Sequence, residues 1–247
     1  AVTAESPPAA EGTLARWRAE AWRRLKWLAS ELRSRLTPQQ PEPRQMYVRL
    51  AVQLALEKPT SGRGKALLLT SPTSAAVIRE AGLEFARALA RDMGRRVLLI
   101  EADFGHSREA EAPGLAELLV HGMGDFAVAV RATGDEGVWR LPSGAPELVP
   151  ASFGSGRHQE LLERACAGYD VVLLLGSPVL REQKWLLFGP LVDHSLLLAL
   201  EGETFVSELE ASVRLLTECK AAGVGVVLTR GQRAAQAAKP VTGAPPA

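Results

Sequence analysis

Along the chain, apolar positions fall into two textures, and the change comes near residue 60. In LARWRAEAWRRLKWLASELRSRL, Leu14, Trp17, Ala21, Leu25, Leu28, Leu32 and Leu36 recur at three- and four-residue steps. That spacing predicts an amphipathic helix over 13–36. A second helical pattern, RQMYVRLAVQLALE, follows the Pro-rich stretch TPQQPEP. Beyond it, short continuous apolar runs alternate with helical stretches. KALLLTS (65–71), RRVLLIEAD (95–103), YDVVLLLGSP (169–178), DHSLLLALEG (193–202) and VGVVLTR (224–230) read as strands, and VWRLPSG (138–144) as a short strand with a turn. Ser74 to Met93, stopped by Gly94, reads as a long helix, and PGLAELLVHG, HQELLERACAG, WLLFGPL and TFVSELEASVRLLTECKAAG as further helices. Apolar strands alternating with helices need cover on both faces. The fold class is therefore α/β, a doubly wound and mostly parallel sheet, preceded by an N-terminal amphipathic helix. The domain reading has three parts. A flexible segment over 1–43 carries the Trp/Arg-rich helix, an α/β domain spans 44–231, and an Ala/Pro/Gly-rich tail over 232–247 reads as disordered.

Composition narrows the class. The 247 residues are 47% apolar and 23% charged, which excludes a wholly disordered, collagen-like or coiled-coil chain. With 29 Lys+Arg against 28 Asp+Glu the net charge is +1, which argues against a dedicated nucleic-acid binder. Two cysteines, Cys166 and Cys219, make no disulfide framework and read as reduced residues of a cytosolic protein. No apolar run reaches the roughly 18 residues that a spanning helix needs. The first residue is Ala, which reads as a chain processed or cut from something longer.

Charge is distributed unevenly. Residues 1–57 hold nine basic and six acidic side chains. Trp17, Trp22 and Trp27, with Arg23 and Arg24 among seven cations, suit a helix lying in an anionic membrane interface. An amphipathic helix packed on a partner, its arginines solvated, accounts for the same pattern.

In a doubly wound sheet, ligands sit at the carboxyl ends of the strands. The first strand ends in TSPTSAAVIREAG. A phosphate-binding loop needs glycines that let backbone N–H groups turn inward, a Lys against the phosphates, and a Ser or Thr for Mg²⁺. Here Ser71, Thr73 and Ser74 are present, but no lysine, and no glycine before Gly82. The turn is either a divergent anion site or a helix cap that binds nothing. SGRGK (61–65) is a decoy, since it precedes its strand and opens no helix. The second strand ends in Asp103, which could contact metal-bound water or simply cap the turn. The strand ending LLLGSP has Gly176 where a catalytic carboxylate is commonly placed. His106, His121, His158 and His194 show no metal-ligand spacing.

Taken in order, these strings resemble the bacterial tyrosine kinases (BY-kinases) of capsule and exopolysaccharide assembly, in the ParA/MinD-like branch of P-loop ATPases. RQMYVRLAVQLAL resembles the family's E-x-Y-R-x-L-R-x-N helix, with Gln45 near the Glu, Tyr47 and Arg49 roughly in place and Gln53 near the Asn. KALLLTSPTS resembles its strand and TSPTPGEGKST loop. GRRVLLIEADFGHSR resembles its second acidic motif, with Glu101 and Asp103 at the two Asp positions and Arg108 near the Arg. PGLAELLVHG, RLPSGAPELVPASF and YDVVLLLGSPVL resemble three further motifs, so the likeness runs from about residue 42 to 230. The departures fall on the chemistry. The loop lysine and glycines are missing, Gly176 replaces the third motif's Asp, and GQRAAQAAKPVTGAPPA replaces the Tyr-rich tail.

The resemblance implies several expectations. The chain is expected to be a non-catalytic module that scaffolds or regulates exopolysaccharide synthesis or export, peripheral at the inner face of the plasma membrane. No cofactor is expected, and no metal; ATP and Mg²⁺ enter only if the chain is instead a divergent active tyrosine autokinase or ATPase. Such an enzyme would use Ser71, Thr73, Asp103 and Lys65. A ParA/MinD-like localisation factor is the third reading. Expected partners are a membrane polysaccharide copolymerase or another protein of the synthesis machinery, an anionic membrane surface, and further copies of the chain through Tyr47 and Arg49. Nucleic acid is not among them.

Overall fold

The computed structural model describes residues 43–54, 62–104 and 113–229. The chain divides after Glu42, and the unit that begins at Pro43 holds every described residue. The Trp17/Trp22/Trp27 helix with Arg23 and Arg24, and the tail over 232–247, lie outside the described residues.

The sheet has seven strands in the order β3-β4-β2-β5-β1-β6-β7. They are β1 Lys65–Thr70, β2 Val97–Ala102, β3 Arg131–Ala132, β4 Val138–Leu141, β5 Val171–Gly176, β6 His194–Leu200 and β7 Val224–Thr229. All neighbours are parallel except the short β3, which runs antiparallel to β4. The apolar runs predicted exactly this need for two covered faces, and the side chains divide by the strand's period of two. Leu67, Leu69, Leu99 and Leu173 face one layer. Leu68, Leu98, Ile100, Val172 and Leu174 face the other.

The first layer is made by α1 Pro43–Gln53 and α2 Ala75–Met93. Ser74 caps α2 by accepting the Val77 N–H, and Gly94 ends it with a left-handed φ of 63°, donating to the Ala90 carbonyl. The helix buries Val77, Ile78, Ala81, Phe85 and Leu89 on the sheet, each large side chain contributing about 1.5–3 kcal/mol. Gly82 is dictated by closeness, because a Cβ there would stand 2.5 Å from Leu175 Cδ2. α1 lies on α2, with the Tyr47 ring stacked on Phe85 at 5.7 Å.

The second layer holds α3 Leu115–His121, α4 Phe126–Ala129, α5 Val149–Gly154, α6 His158–Gly168, the 3₁₀ segment Lys184–Leu191 and α7 Val206–Glu218. Its core includes Leu118, Leu161, Trp185, Phe188 and Leu216. Local details refine the sequence reading. WLLFGPL is 3₁₀ rather than α, with Pro190 inside it lacking a backbone donor. The short strand with a turn read over 138–144 is a strand from Val138 to Leu141, with Pro142 following. α4, α5 and β3 are too short to show a period in the sequence. Cys166 and Cys219 are both free thiols, and burial pushes Cys166 up to about 11.

Candidate functional site

The carboxyl ends of β1, β2 and β5 meet where the strand order reverses, because β5 and then β2 lie on one side of β1 and β6 on the other. Residues 71–74 leave β1 there and enter α2. Ser71 and Ser74 bond one another. Ser71 Oγ donates to the Ser74 carbonyl at 2.8 Å and accepts the Ser74 N–H at 2.8 Å. Ser74 Oγ accepts the Val77 N–H at 3.4 Å. Thr73 stands half-buried between them. The loop is also stitched to the chain after β5. Val179 N–H donates to the Ser71 carbonyl at 2.9 Å and Leu180 N–H to the Pro72 carbonyl at 3.2 Å. Thr70 Oγ1, fully buried, donates to the Ser177 carbonyl at 2.9 Å. A phosphate cradle needs successive N–H groups fanned inward by a left-handed residue. None of residues 71–76 adopts a left-handed φ. The loop therefore serves as a helix cap and a brace between two strands.

Asp103 follows β2. Its Oδ1 accepts the Ser177 hydroxyl at 2.8 Å, and its Oδ2 lies 3.5 Å from Arg79 Nη1. The side chain is 11% exposed while that of Arg79 is 53% exposed, so the hydroxyl bond is the shielded one. Glu101, two residues earlier, meets Arg140 Nη1 at 3.3 Å. Ala75, Ile78, Arg79, Glu101, Asp103, Leu175 and Gly176 enclose a cavity of about 70 Å³. Small-molecule sites usually measure roughly 300–1,000 Å³. A larger hollow of about 500 Å³, lined by Gln45, Val48, Arg49 and Asp92, sits against the far end of α2. At about 1.5 Å per residue, Asp92 is some 27 Å along that helix from Ser74. It has no part in the strand-end chemistry.

Gly176 lines this cavity and lies against a buried indole. A Cβ at this position would stand 2.8–3.0 Å from three carbons of the Trp185 ring. Trp185 is fully buried, and its indole N–H donates to the Glu182 carbonyl at 2.8 Å. A buried indole, held at its polar end, thus stands where a side chain at position 176 would begin.

The sequence singled out Ser71, Thr73, Ser74 and Asp103, and all four lie at this edge. Lys65 does not join them. It opens β1 at the opposite edge, about 16 Å away at ~3.3 Å per residue, and its Nζ donates to the Leu54 carbonyl at 3.4 Å. Arg79, Ser177 and Trp185 were not singled out from sequence as partners of the site. Ser177 directly follows Gly176 in the strand-end string and was the one with a positional signal. Among the described residues no cluster of three or more His, Cys, Asp or Glu is arranged to hold a metal. Tyr47, expected to face further copies, is turned inward onto Phe85, while Arg49 is exposed. Burial, and then Glu84 and Glu80, push the Tyr47 phenol up to about 12.

The sheet order, with a capped helix after β1 at the switch point, defines the α/β class of P-loop NTPase-like proteins. Cobyrinic acid a,c-diamide synthase from Mycobacterium smegmatis, solved with bound ADP and magnesium, shares the fold at a TM-score of 0.54, 16% identity, over 67% of this chain and 74% of that one. Tyrosine-protein kinase YwqD of Bacillus subtilis (strain 168) is 28% identical over 142 residues, 55% of this chain and 60% of its own length. The BceF tyrosine kinase domain matches with a TM-score of 0.62 and 26% identity over 76% of each chain. The kinase domain of the Escherichia coli tyrosine kinase ETK matches with a TM-score of 0.64 and 23% identity, over 79% of this chain and 75% of that chain. No family model matches the chain. In sequence and in fold, this chain is similar to bacterial tyrosine kinases.

Proposed function

We propose that the chain is a non-catalytic BY-kinase relative that scaffolds or regulates exopolysaccharide synthesis or export at the cytoplasmic face of the membrane. One observation carries the reading. The position of the strand-end acid is a glycine, and an indole fills the space beside it. The missing loop lysine and the self-satisfied 71–74 turn support it. Positive charge against the phosphates and a carboxylate for magnesium would each supply several kcal/mol to phosphoryl transfer. The loop lysine and the acid at position 176, which would supply them in the resembling family, are absent from the sequence. Binding, through preserved helical surfaces, is what such a fold retains.

The partner under this reading is a membrane polysaccharide copolymerase or another protein of the synthesis machinery. Among the described residues no helix is long and apolar enough to cross a membrane. Attachment is assigned to the helix over 13–36, through Trp17, Trp22, Trp27, Arg23 and Arg24, on sequence grounds. Calorimetry with ATP and with ADP, each with and without Mg²⁺, tests the central claim. No heat of binding and no transfer of labelled phosphate are expected. Micromolar affinity with Mg²⁺-dependent turnover refutes it.

The competing reading, a divergent autokinase or ATPase, draws support from Asp103, which still stands at the end of β2. Label transfer that disappears in Asp103→Ala would establish it.

A further inference from the structure

We propose that His158 is the sensor of an acid-sensitive latch. Its protonation releases the first turn of α6, and with it the aromatic cluster that ties α5 and residues 184–191 to the end of β2.

The cluster runs in one line. Phe104, next to Asp103, meets Phe153 of α5 edge-on at 5.3 Å. Phe153 stacks on His158 at 6.3 Å, and His158 meets Phe188 edge-on at 4.9 Å. His158 is 5% exposed, and its Nε2 is buried with no hydrogen-bond partner. The neutral ring thus packs as a third aromatic. An imidazolium in the same place would need a partner for a second N–H and would sit at the positive end of the α6 dipole.

Among the described residues, the charged groups on the packed elements offer it no counterion. On residues 184–191, Lys184 stands 5.8 Å over the Phe153 ring and 3.9 Å from Glu182, whose other carboxylate oxygen accepts the Gln183 and Lys184 N–H groups. α5 carries no titratable group. On α6 itself, the Arg157 guanidinium donates to the Leu119 and Val120 carbonyls at the end of α3. Glu163 accepts from Gln159, and Glu160 is exposed. On α3, Glu117 is held by the Gly114 and Ala145 N–H groups, and His121 is exposed. Asp125, between α3 and α4, is exposed. Asp103 is committed to Ser177 and Arg79. Lys65 lies at the far end of α6, where the neighbouring Gly64 N–H bonds the Cys166 carbonyl.

Burial lowers the His158 pKa below the ordinary 6.5. The unfolded chain therefore takes up the proton first. Stability from this group is complete above about pH 6.5 and falls as pH drops toward the folded value, by up to about tenfold in the folding constant per pH unit. His194 is lowered too, by burial and then Lys65, and acts with the same sign.

The test combines urea unfolding from pH 8 to 5, a ¹³C titration of the histidines, and hydrogen exchange of the amides. The folding constant is expected to fall several-fold more steeply in the parent and in His194→Gln than in His158→Phe, which keeps an aromatic ring without its proton. Exchange in 149–158 and 184–191 should rise at pH 5 ahead of that in the strands. Equal slopes in parent and His158→Phe overturn the proposal. So does a His158 resonance titrating at or above 6.5 in the unmodified protein, a readout that needs no variant to fold.

Discussion

Placing a carboxylate at position 176 requires moving an indole. Gly176→Asp would push the Trp185 ring off its seat or strain the strand, and overpacking of this kind costs about 1–3 kcal/mol. The new acid would also be buried without a partner. A lower urea midpoint and no gain in ATP turnover are the expected results. The neighbouring polar pair ranks differently. Asp103→Ala removes the shielded acceptor of Ser177 and should cost about 1–3 kcal/mol. Arg79→Ala breaks only a half-exposed 3.5 Å contact and should cost under about 1 kcal/mol. Urea midpoints of the two variants at pH 7 check the order. At this scale the sequence showed which atoms were missing. It could not show what stood in their place, because Trp185 lies nine residues from Gly176 and only the fold brings them together.

The elements were more legible than their contacts. β1, β2, β5 and β6 are continuous apolar runs, and α2 carries both its caps in plain sight, Ser74 and Gly94. α4 and α5 span 4 and 6 residues and show no repeat. The inward turn of α1 was hidden as well, since Tyr47 fits an outward polar face or an inward aromatic one equally well. Its environment gives a pH test. The folded phenol titrates near 12 rather than 10, so the neutral form is favoured by folding. Its contribution is complete below pH 10 and is lost as pH rises from 10 toward 12. Stability between pH 9 and 11 should fall less in Tyr47→Phe than in the parent. A second element-scale contact joins α2 to the β3–β4 turn, where Asp135 accepts from Arg87 at 3.0 Å and Arg91 at 2.9 Å. Asp135→Ala removes the partner of Arg91 and one of two partners of Arg87, which keeps Glu84 at 2.7 Å, and should lower the midpoint more than Arg91→Ala does, by about 1–3 kcal/mol against less than about 1.

For the whole molecule, the sheet order places one edge at a topological switch point, and the chain has filled that edge with its own atoms. A ligand that binds only the native state raises stability by RT ln(1 + [L]/Kd), about 4.1 kcal/mol at a thousandfold excess over Kd. Millimolar MgATP should leave the melting temperature unchanged, and MgADP likewise. A rise of several degrees would mean that the edge opens. The architecture was foreseeable because continuous apolar strands admit few covers. The closed edge was not, since it depends on a 3₁₀ segment whose Pro190 and Gly189 conceal its packing.

Trp185 also gives the molecule an optical reporter. An indole shielded from water emits at the blue end of its range, and it shifts red when water reaches it. Trp139 is half-exposed and supplies a steady background. With Trp17, Trp22 and Trp27 changed to Phe, the emission colour would follow the closure at Gly176 directly. Any partner that prises the strand ends apart could then be watched in real time, without a label.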